Sequence, residues 1–366
     1  MKIAIVINTS WNIYNFRLGL IKALQKEGHE IYAIAPHDHT TEFLIENGCK
    51  FIPIEIENKG SNPFSDLKLI FKYFKIYKEL KPDFALQYTI KPNIYGSLAA
   101  KLANVKTINN VSGLGTVFLH NNLVSKIARF LYKIAFKFPE KVFFQNNDDR
   151  ELFVKNNLVS SLKTDVLPGS GINLEKYKYS SYQKKSPFVF LVIARLIYDK
   201  GIVEFVEAAK ILKAKGINAK FQILGFTDFE TKLGIPEELL CEWIDNKHIE
   251  YLGDTLDVIP FLENASCVVL PSYREGTPKT LIEALAMAKP IVTTNVPGCK
   301  ETVKDGQNGF LCEVKNSEDL ADKLYKMYNL SENELQKISI FSRKYAEVKF
   351  NESYIFQKYL QALSGK

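Results

Sequence analysis

The stretch "SCVVLPSYREGTPKTLIEALAMAKP", residues 266–290, reads as a strand, a short loop and a helix in immediate succession. Pro278 has the fixed φ suited to a first helical position, and Thr277 can cap the exposed N–H groups. The helix that follows is apolar nearly all round, which predicts burial. Glu283 sits in the middle of that run, beside Ile282 and Ala284. An unpaired ionised carboxylate there would be costly, so it needs a partner. In a strand–loop–helix unit ligands collect beyond the carboxyl end of the strand, against the helix N-terminus. The amides of residues 277–280 therefore point to an anion, with phosphate the best match.

The same alternation runs through the whole chain. KIAIVIN, EIYAIAP, FIPIEI, DFALQY, KTINNV and KVFFQN read as strands in the first half, with helical segments such as FRLGLIKALQKEG between them. FVFLVIA, AKFQILG, IEYLG, SCVVLPS and PIVTTN repeat the scheme in the second half. Strands separated by helices of this length predict an α/β fold with parallel, doubly wound sheets. Residues 167–186, "LPGSGINLEKYKYSSYQKKS", are rich in Gly, Ser and Lys and show little periodicity. They read as a linker between two Rossmann-like domains facing a central cleft.

Composition narrows the class. With 366 residues, 46% hydrophobic and 24% charged, the chain describes a soluble globular protein with room for two cores. No window offers the roughly 20 apolar residues of a membrane span, and MKIAIVIN runs straight into a strand pattern with no signal peptide. Cysteines 49, 241, 267, 299 and 312 are scattered without metal-ligand spacing, as suits reduced thiols in the cytoplasm. His37 and His39 lack a third ligand nearby, so no metal site is expected. Residues 1–170 hold 22 Lys and Arg against 15 Asp and Glu, whereas the remainder holds 26 of each. All of the net charge of +7 thus lies in the N-terminal half, which implies an anionic partner on that side.

"VIARLIYDKG" places Arg195 just after a strand and Lys200 before Gly201 and the next helix. Two fixed cations at adjacent strand ends suit a diphosphate, although either alone could be a solvated surface charge. The Gly-rich fingerprint of dinucleotide enzymes is missing after the first strand, which reads "NTSWNIYNFR" and weakens a dehydrogenase reading.

Glu275 and Glu283, with the following "KPIVTTNVPGCKETVKDGQNGFL", resemble the donor-site signature of glycosyltransferase family 4, retaining enzymes of the GT-B fold. "ARLIYDKG" is similar to the family's Arg and Lys, and "LPGSGINLEKY" to its interdomain segment. "IYNFR", "KPNIYGSLAAK", "GLG" (113–115) and "LPSYREG" look like the bacterial subgroup that extends polyprenyl-diphosphate-linked sugars in O-antigen, capsule or glycan assembly. The resemblance implies an acceptor-binding domain at 1–167, a nucleotide-sugar-binding domain at 168–345, and a C-terminal helix at 346–366 crossing back to the first. It implies a UDP-sugar donor, with N-acetylhexosamine as the sugar. Arg195, Lys200 and Glu275 would be catalytic, the cations neutralising the departing diphosphate and Glu275 holding sugar hydroxyls. Gly276, Thr277, Pro278, Thr280, Leu281 and Glu283 would line the donor site, Glu283 on the ribose. No metal or other cofactor is implied. On the acceptor side the sequence departs from the family: Thr9-Ser10-Trp11 stands where many relatives carry a Gly-Gly loop, and Ile90 where many carry a His. Lys91, Asn93, Gly113 and Gly115 are the acceptor-side candidates. A nucleotide-sugar 2-epimerase of related fold and a non-catalytic sugar-nucleotide-binding protein are the alternatives, the first needing acid/base carboxylates and histidines that find no place here.

In "NNLVSKIARFLYKIAFKFPEK", Lys126, Arg129, Lys133 and Lys137 recur at helical spacing, with Leu123, Ile127, Phe130, Leu131, Ile134 and Phe138 as the apolar surface. Two readings stand together: an apolar stripe packed on the sheet with solvated lysines, or contact with the anionic headgroups of a membrane inner face. "SDLKLIFKYFKIYKEL" is a weaker second instance. No nucleic-acid recognition motif accompanies the basic residues.

Overall fold

The computed structural model describes residues 1–57, 63–114, 123–229, 231 and 233–365. The chain forms two compact units, Met1–Gly171 with Glu352–Lys366, and Ile172–Asn351.

In the first unit β-branched runs give seven described strands: β1 Lys2–Val6, β2 Glu30–Ala35, β3 Lys50–Pro53, β4 Phe84–Tyr88, β5 Lys106–Val111, β6 Lys141–Phe144 and β7 Thr164–Val166. They form one parallel sheet in the order β3-β2-β1-β4-β5-β6-β7. The crossover helices are α1 Ser10–Lys26, α2 Thr41–Glu46, α3 Pro63–Leu80, α4 Ser97–Ala103, α5 Leu123–Ala135 and α6 Asn147–Lys155. Because parallel crossovers are right-handed, reversing the winding direction after β3 moves the later helices to the other face. The two cores bear this out. Ile13, Leu20, Ile21 and Leu24 of α1 pack with Leu44 of α2 on one face. Tyr73 and Tyr77 of α3, Ala99 and Ala100 of α4, and Tyr132 and Ala135 of α5 pack on the other. Thr9 caps α1, its hydroxyl accepting the Asn12 N–H at 3.1 Å.

The second unit holds β8 Phe188–Ile193, β9 Ala219–Leu224, β10 Glu250–Tyr251, β11 Cys267–Leu270, β12 Ile291–Thr294 and β13 Gly309–Cys312, all parallel in the order β10-β9-β8-β11-β12-β13. Helices α7 Ile202–Ala214, α8 Glu237–Asp245, α9 Ile259–Asn264, α10 Lys279–Ala286, α11 Ser317–Asn329 and α12 Glu332–Tyr345 complete it. Residues 172–186, read from composition as linker, are packed into this unit. Tyr177 and Tyr182 are buried, the Tyr182 hydroxyl donating to the Ser266 carbonyl at 3.0 Å. After a π-helical turn at Ala346–Phe350, α13 (Glu352–Ser364) returns to the first unit, where Ile355 and Tyr359 join the α1 core.

The sequence leaves open which side of α5 packs. Ser125, Tyr132 and Ala135 are its buried residues, whereas Leu123, Ile127 and Phe130 are 72%, 51% and 62% exposed. The apolar stripe is therefore displaced from the sheet, because the bulky Tyr132, wedged against Phe136 and Phe153, takes the inward position. On α3 the pattern recurs, with Phe64, Leu67 and Phe71 exposed and Leu69, Tyr73 and Tyr77 buried.

Candidate active site at the β8–β11 switch point

In the second unit β8 lies between β9 and β11, so the winding direction reverses there and the crevice beyond the carboxyl ends of β8 and β11 is the expected ligand position. Both sequence motifs converge on it. A short 3-10 turn, Tyr198–Lys200, follows β8 and ends on Gly201 at φ +70. A Cβ there would lie 2.1 Å from the Pro271 carbonyl oxygen, so only glycine lets the turn press against the end of β11. The Tyr273 N–H donates to the Asp199 carbonyl at 2.9 Å, and the Tyr273 hydroxyl to Glu204 Oε1 at 2.7 Å. These contacts bring Lys200 to Glu275.

Lys200 Nζ forms an ion pair with Glu275 Oε1, and Ser272 Oγ donates to the same oxygen at 2.7 Å. The side chains are 20% and 14% exposed. An ammonium has three donors, so Lys200 can hold Glu275 and still offer N–H groups to a ligand. The loop carrying Glu275 is braced from behind: its N–H donates to the Pro297 carbonyl at 3.1 Å, and Gly298, at φ +87, packs where a Cβ would lie 2.3 Å from the Glu275 carbonyl oxygen. Arg195 is exposed, and its guanidinium makes no hydrogen bond or ion pair among the described residues.

Pro278 stands one place earlier than its sequence reading. It is the N-cap of α10, at φ −70 and ψ 121, with no side-chain cap bond, and the helix opens at Lys279. The Leu281 and Ile282 N–H groups turn back onto the Pro278 carbonyl at 3.2 and 3.3 Å. The amides of Gly276, Thr277, Lys279 and Thr280 precede that first closed turn. The Thr280 hydroxyl donates to the Ile193 carbonyl at 3.1 Å, tying α10 to the end of β8, and Leu281 lies wholly in the core. Glu283 has the partner that its burial demands: Tyr177 donates to Oε1 at 2.6 Å, and Lys279 Nζ lies 3.7 Å away. Burial, then the Glu283 charge and this hydrogen bond, push the Tyr177 hydroxyl well above its ordinary pKa, so it stays a donor. Nothing among the described residues hydrogen-bonds Glu283 Oε2.

Of the acceptor-side candidates, Lys91 and Asn93 follow the carboxyl end of β4 and Gly113 that of β5 in the first unit. Lys91 pairs with Asp66 Oδ1 at 2.9 Å, and Tyr95 donates to Oδ2 of the same carboxylate at 2.7 Å. Asn93 is 1% exposed and donates to the Asn110 carbonyl at 2.9 Å. Ile90 packs against the core. Gly113 follows β5 at φ +137, and Gly115 lies outside the described residues. Among the described residues no group of three or more His, Cys, Asp or Glu gathers, and no helix is long and apolar enough to cross a membrane.

Two parallel α/β units, one carrying a Lys–Glu pair and a buried carboxylate at a topological switch point, define a doubly wound protein of two Rossmann-like units with a ligand crevice in the second. Comparison with known proteins gives the family. Residues 175–344 match the family of glycosyl transferases group 1, and residues 2–146 the glycosyl transferase 4-like family. The chain is 32% identical, over an alignment covering 99% of it and 98% of the relative, to N,N'-diacetylbacillosaminyl-diphospho-undecaprenol alpha-1,3-N-acetylgalactosaminyltransferase of Campylobacter jejuni. It is 27% identical to the capsular polysaccharide biosynthesis glycosyltransferase CapM of Staphylococcus aureus, over 93% of the chain and 91% of the relative. Its fold matches that of Anabaena Alr3699/HepE, solved in complex with UDP-glucose, with TM-score 0.82, 18% identity and both chains covered completely. The protein belongs to the group 1, family 4-like glycosyltransferases, and is an enzyme of that class built from the two Rossmann-like domains of the GT-B fold.

Proposed function

We propose that the enzyme transfers an N-acetylhexosamine, with retention, from a UDP-sugar to a polyprenyl-diphosphate-linked glycan in surface polysaccharide or glycan assembly. The observation that carries this reading is the Lys200–Glu275 pair beyond β8 and β11, with the exposed Arg195 just after β8 and the buried Glu283 on α10, the helix that follows the Glu275 loop. The relative at 32% identity, whose name states N-acetylgalactosaminyl transfer onto a diphospho-undecaprenol-linked sugar, supports the substrate classes. Glu283 Oε2 takes the ribose hydroxyls, with Tyr177 and Lys279 fixing Oε1. Glu275, with the Gly276 and Thr277 amides, orients the sugar, and Thr280, Leu281 and Pro278 shape the wall beneath it. The bond from the sugar's anomeric carbon to the β-phosphate oxygen breaks with its electron pair going to the phosphate. Arg195 and Lys200 stabilise that growing charge as preorganised cations, without a metal. The acceptor hydroxyl attacks from the same face, and the departing phosphate oxygen takes its proton. Lys91 and Gly113 lie on the acceptor side of the first unit, with the buried Asn93 bracing the end of β5 from within.

The exposed Leu123, Ile127 and Phe130 alternate on α5 with exposed Lys126 and Lys133, and Lys137 follows just beyond its end. Apolar wedges between basic residues suit the headgroup boundary of an anionic bilayer, where the lipid-linked acceptor resides. We place the enzyme there as a peripheral protein on the cytoplasmic face. The test is a screen of UDP-sugars against a short polyprenyl-diphosphate-linked sugar, with and without EDTA, read by mass spectrometry. A product heavier by one sugar, formed equally with EDTA, is expected. Release of UDP from none of the donors would overturn the reading, and conversion of the donor sugar without acceptor would favour an epimerase.

A further inference from the structure

The stretch "IYNFR" carries a cation that the donor site does not use. Arg17 lies on α1 and is only 4% exposed. Its guanidinium carbon sits 4.1 Å above the Tyr88 ring, its Nε is buried without a partner, and it forms no ion pair among the described residues. An arginine does not shed its proton, so this is a permanent, largely buried charge that has a ring face where an ion-pair partner would be expected. A structural arginine in such a place would normally be given a carboxylate.

Its position tells what is missing. Side chains of a helix lean toward its N-terminus, and α1 begins at the carboxyl edge of the sheet, just after β1. Arg17 therefore reaches toward the carboxyl end of β4, whose last residue is Tyr88. The order of the sheet makes β1 and β4 the switch point of the first unit, where a ligand crevice is expected. The next residue, Thr89, has φ +62, an unfavourable conformation for a β-branched side chain and a form of strain that gathers at ligand clamps. The Tyr359 ring packs beside that of Tyr88, and its hydroxyl accepts from Asn110 Nδ2 at 3.1 Å.

We propose that Arg17 is the anion-binding residue of the first unit and that it takes phosphate oxygens of the acceptor's diphosphate through its two-pronged fork. The choice of diphosphate rests on the proposed function, in which the donor's own phosphates are met by Arg195 and Lys200 of the other unit. The anion could come from a lipid-linked diphosphate or from free pyrophosphate, and both serve as probes. Calorimetry on the full chain, first with UDP and then at saturating UDP with farnesyl diphosphate or inorganic pyrophosphate, compares wild type with Arg17→Met and Arg17→Lys. Wild type should bind both probes, the lipid diphosphate more tightly. Arg17→Met should weaken both at least tenfold with UDP affinity unchanged, and Arg17→Lys, which keeps the charge but loses the fork, should fall between. Without ligand, Arg17→Met should melt no lower than wild type, since it removes an unpaired charge. Equal probe affinities in wild type and Arg17→Met, or no binding of either probe to wild type, would overturn the proposal. A lower melting point of Arg17→Met with unchanged probe affinity would likewise leave only stacking on Tyr88. If wild type fails to bind UDP, the donor reading falls. Titrating the same probes into Arg195→Ala/Lys200→Ala protein, with and without Arg17→Met, then decides Arg17 by itself.

Discussion

Glu283 shares the work between its two oxygens. Tyr177 and Lys279 hold Oε1, so a substitution that keeps an acceptor and removes the charge should disturb the fold little. Glu283→Gln should therefore raise the KM for the donor about tenfold, as expected when a charge-assisted hydrogen bond is lost in ground and transition states alike. Arg195→Ala and Lys200→Ala should instead lower kcat by about 100-fold, because diphosphate charge grows only as the glycosidic bond breaks. Steady-state kinetics separates the two patterns, and wild-type turnover in both cation variants would remove them from the chemistry. Lys289 offers a separate test of burial. It donates to the Glu263 and Ala265 carbonyls at 2.9 and 3.0 Å, yet burial, then the nearby Lys185, pull its pKa from 10.5 down to about 8. Between those values the unfolded chain binds the proton more readily, so this residue makes stability rise with pH through the window, by about 3 kcal/mol. Urea unfolding should show the advantage of wild type over Lys289→Met growing between pH 8 and 10.5, and a constant difference would contradict it. At this scale the carboxylates and cations were legible because buried or fixed charge stands out in an apolar run. Tyr177 was not, since a tyrosine within a Lys- and Ser-rich stretch carries no sign that it folds back onto a helix more than 100 positions away.

Among the elements, α5 departs furthest from what its pattern alone suggests. Periodicity identifies an apolar stripe but not which stripe the sheet receives, and Tyr132 rather than Phe130 takes the core position. Phe130 and Ile127 are left exposed beside Lys126 and Lys133, and the proposed membrane contact rests on that pairing. Changing Lys126, Lys133 and Lys137 to Glu should cut partitioning onto anionic liposomes well over tenfold, at about 1 kcal/mol for each basic residue near such a surface. Phe130→Ser should weaken binding even at high salt, where the electrostatic part is screened. Sedimentation of both variants beside wild type would show this, and equal partitioning by all three would leave α5 as a packing helix only. Strands β7 and β13 escaped the sequence reading for a different reason. TDV is too short to show alternation, and GFLC opens on a glycine within a Gly- and Asn-rich stretch, so only pairing with β6 and β12 makes them strands.

For the molecule as a whole, the alternation of strand and helix was enough to reach two Rossmann-like domains, because each repeated unit carries its own signal, whereas the family came from the resemblance of the motifs around Arg195, Lys200, Glu275 and Glu283. The identity of the partner to Arg17 was not legible, because an unpaired buried charge becomes visible only once the side chains around it are placed. The thiols offer a probe of both units at once. Cys241 is exposed, whereas Cys49 in the first unit and Cys267, Cys299 and Cys312 in the second are buried. Burial pushes the Cys49 thiol up to about 11 and those of Cys299 and Cys312 up to about 12, with that of Cys267 also raised. At pH 8 the folded enzyme should therefore present one fast thiol, and the other four should react only through opening of the unit that holds them. Cys299 follows Gly298, which packs against the loop carrying Glu275, so a nucleotide bound at that loop, as proposed, should hold it shut. UDP at about 100 times its dissociation constant should stabilise the second unit by about 2.7 kcal/mol. Labelling of Cys267, Cys299 and Cys312 should slow by about 100-fold, by the factor of ten for each 1.36 kcal/mol. Cys49 should keep its rate if the two units open separately, and slow equally if they open as one. Peptide mapping after timed labelling reads each cysteine by itself. A Cys299 rate unmoved by UDP would mean that nucleotide does not bind beyond the carboxyl end of β11, and the donor site would have to be sought elsewhere.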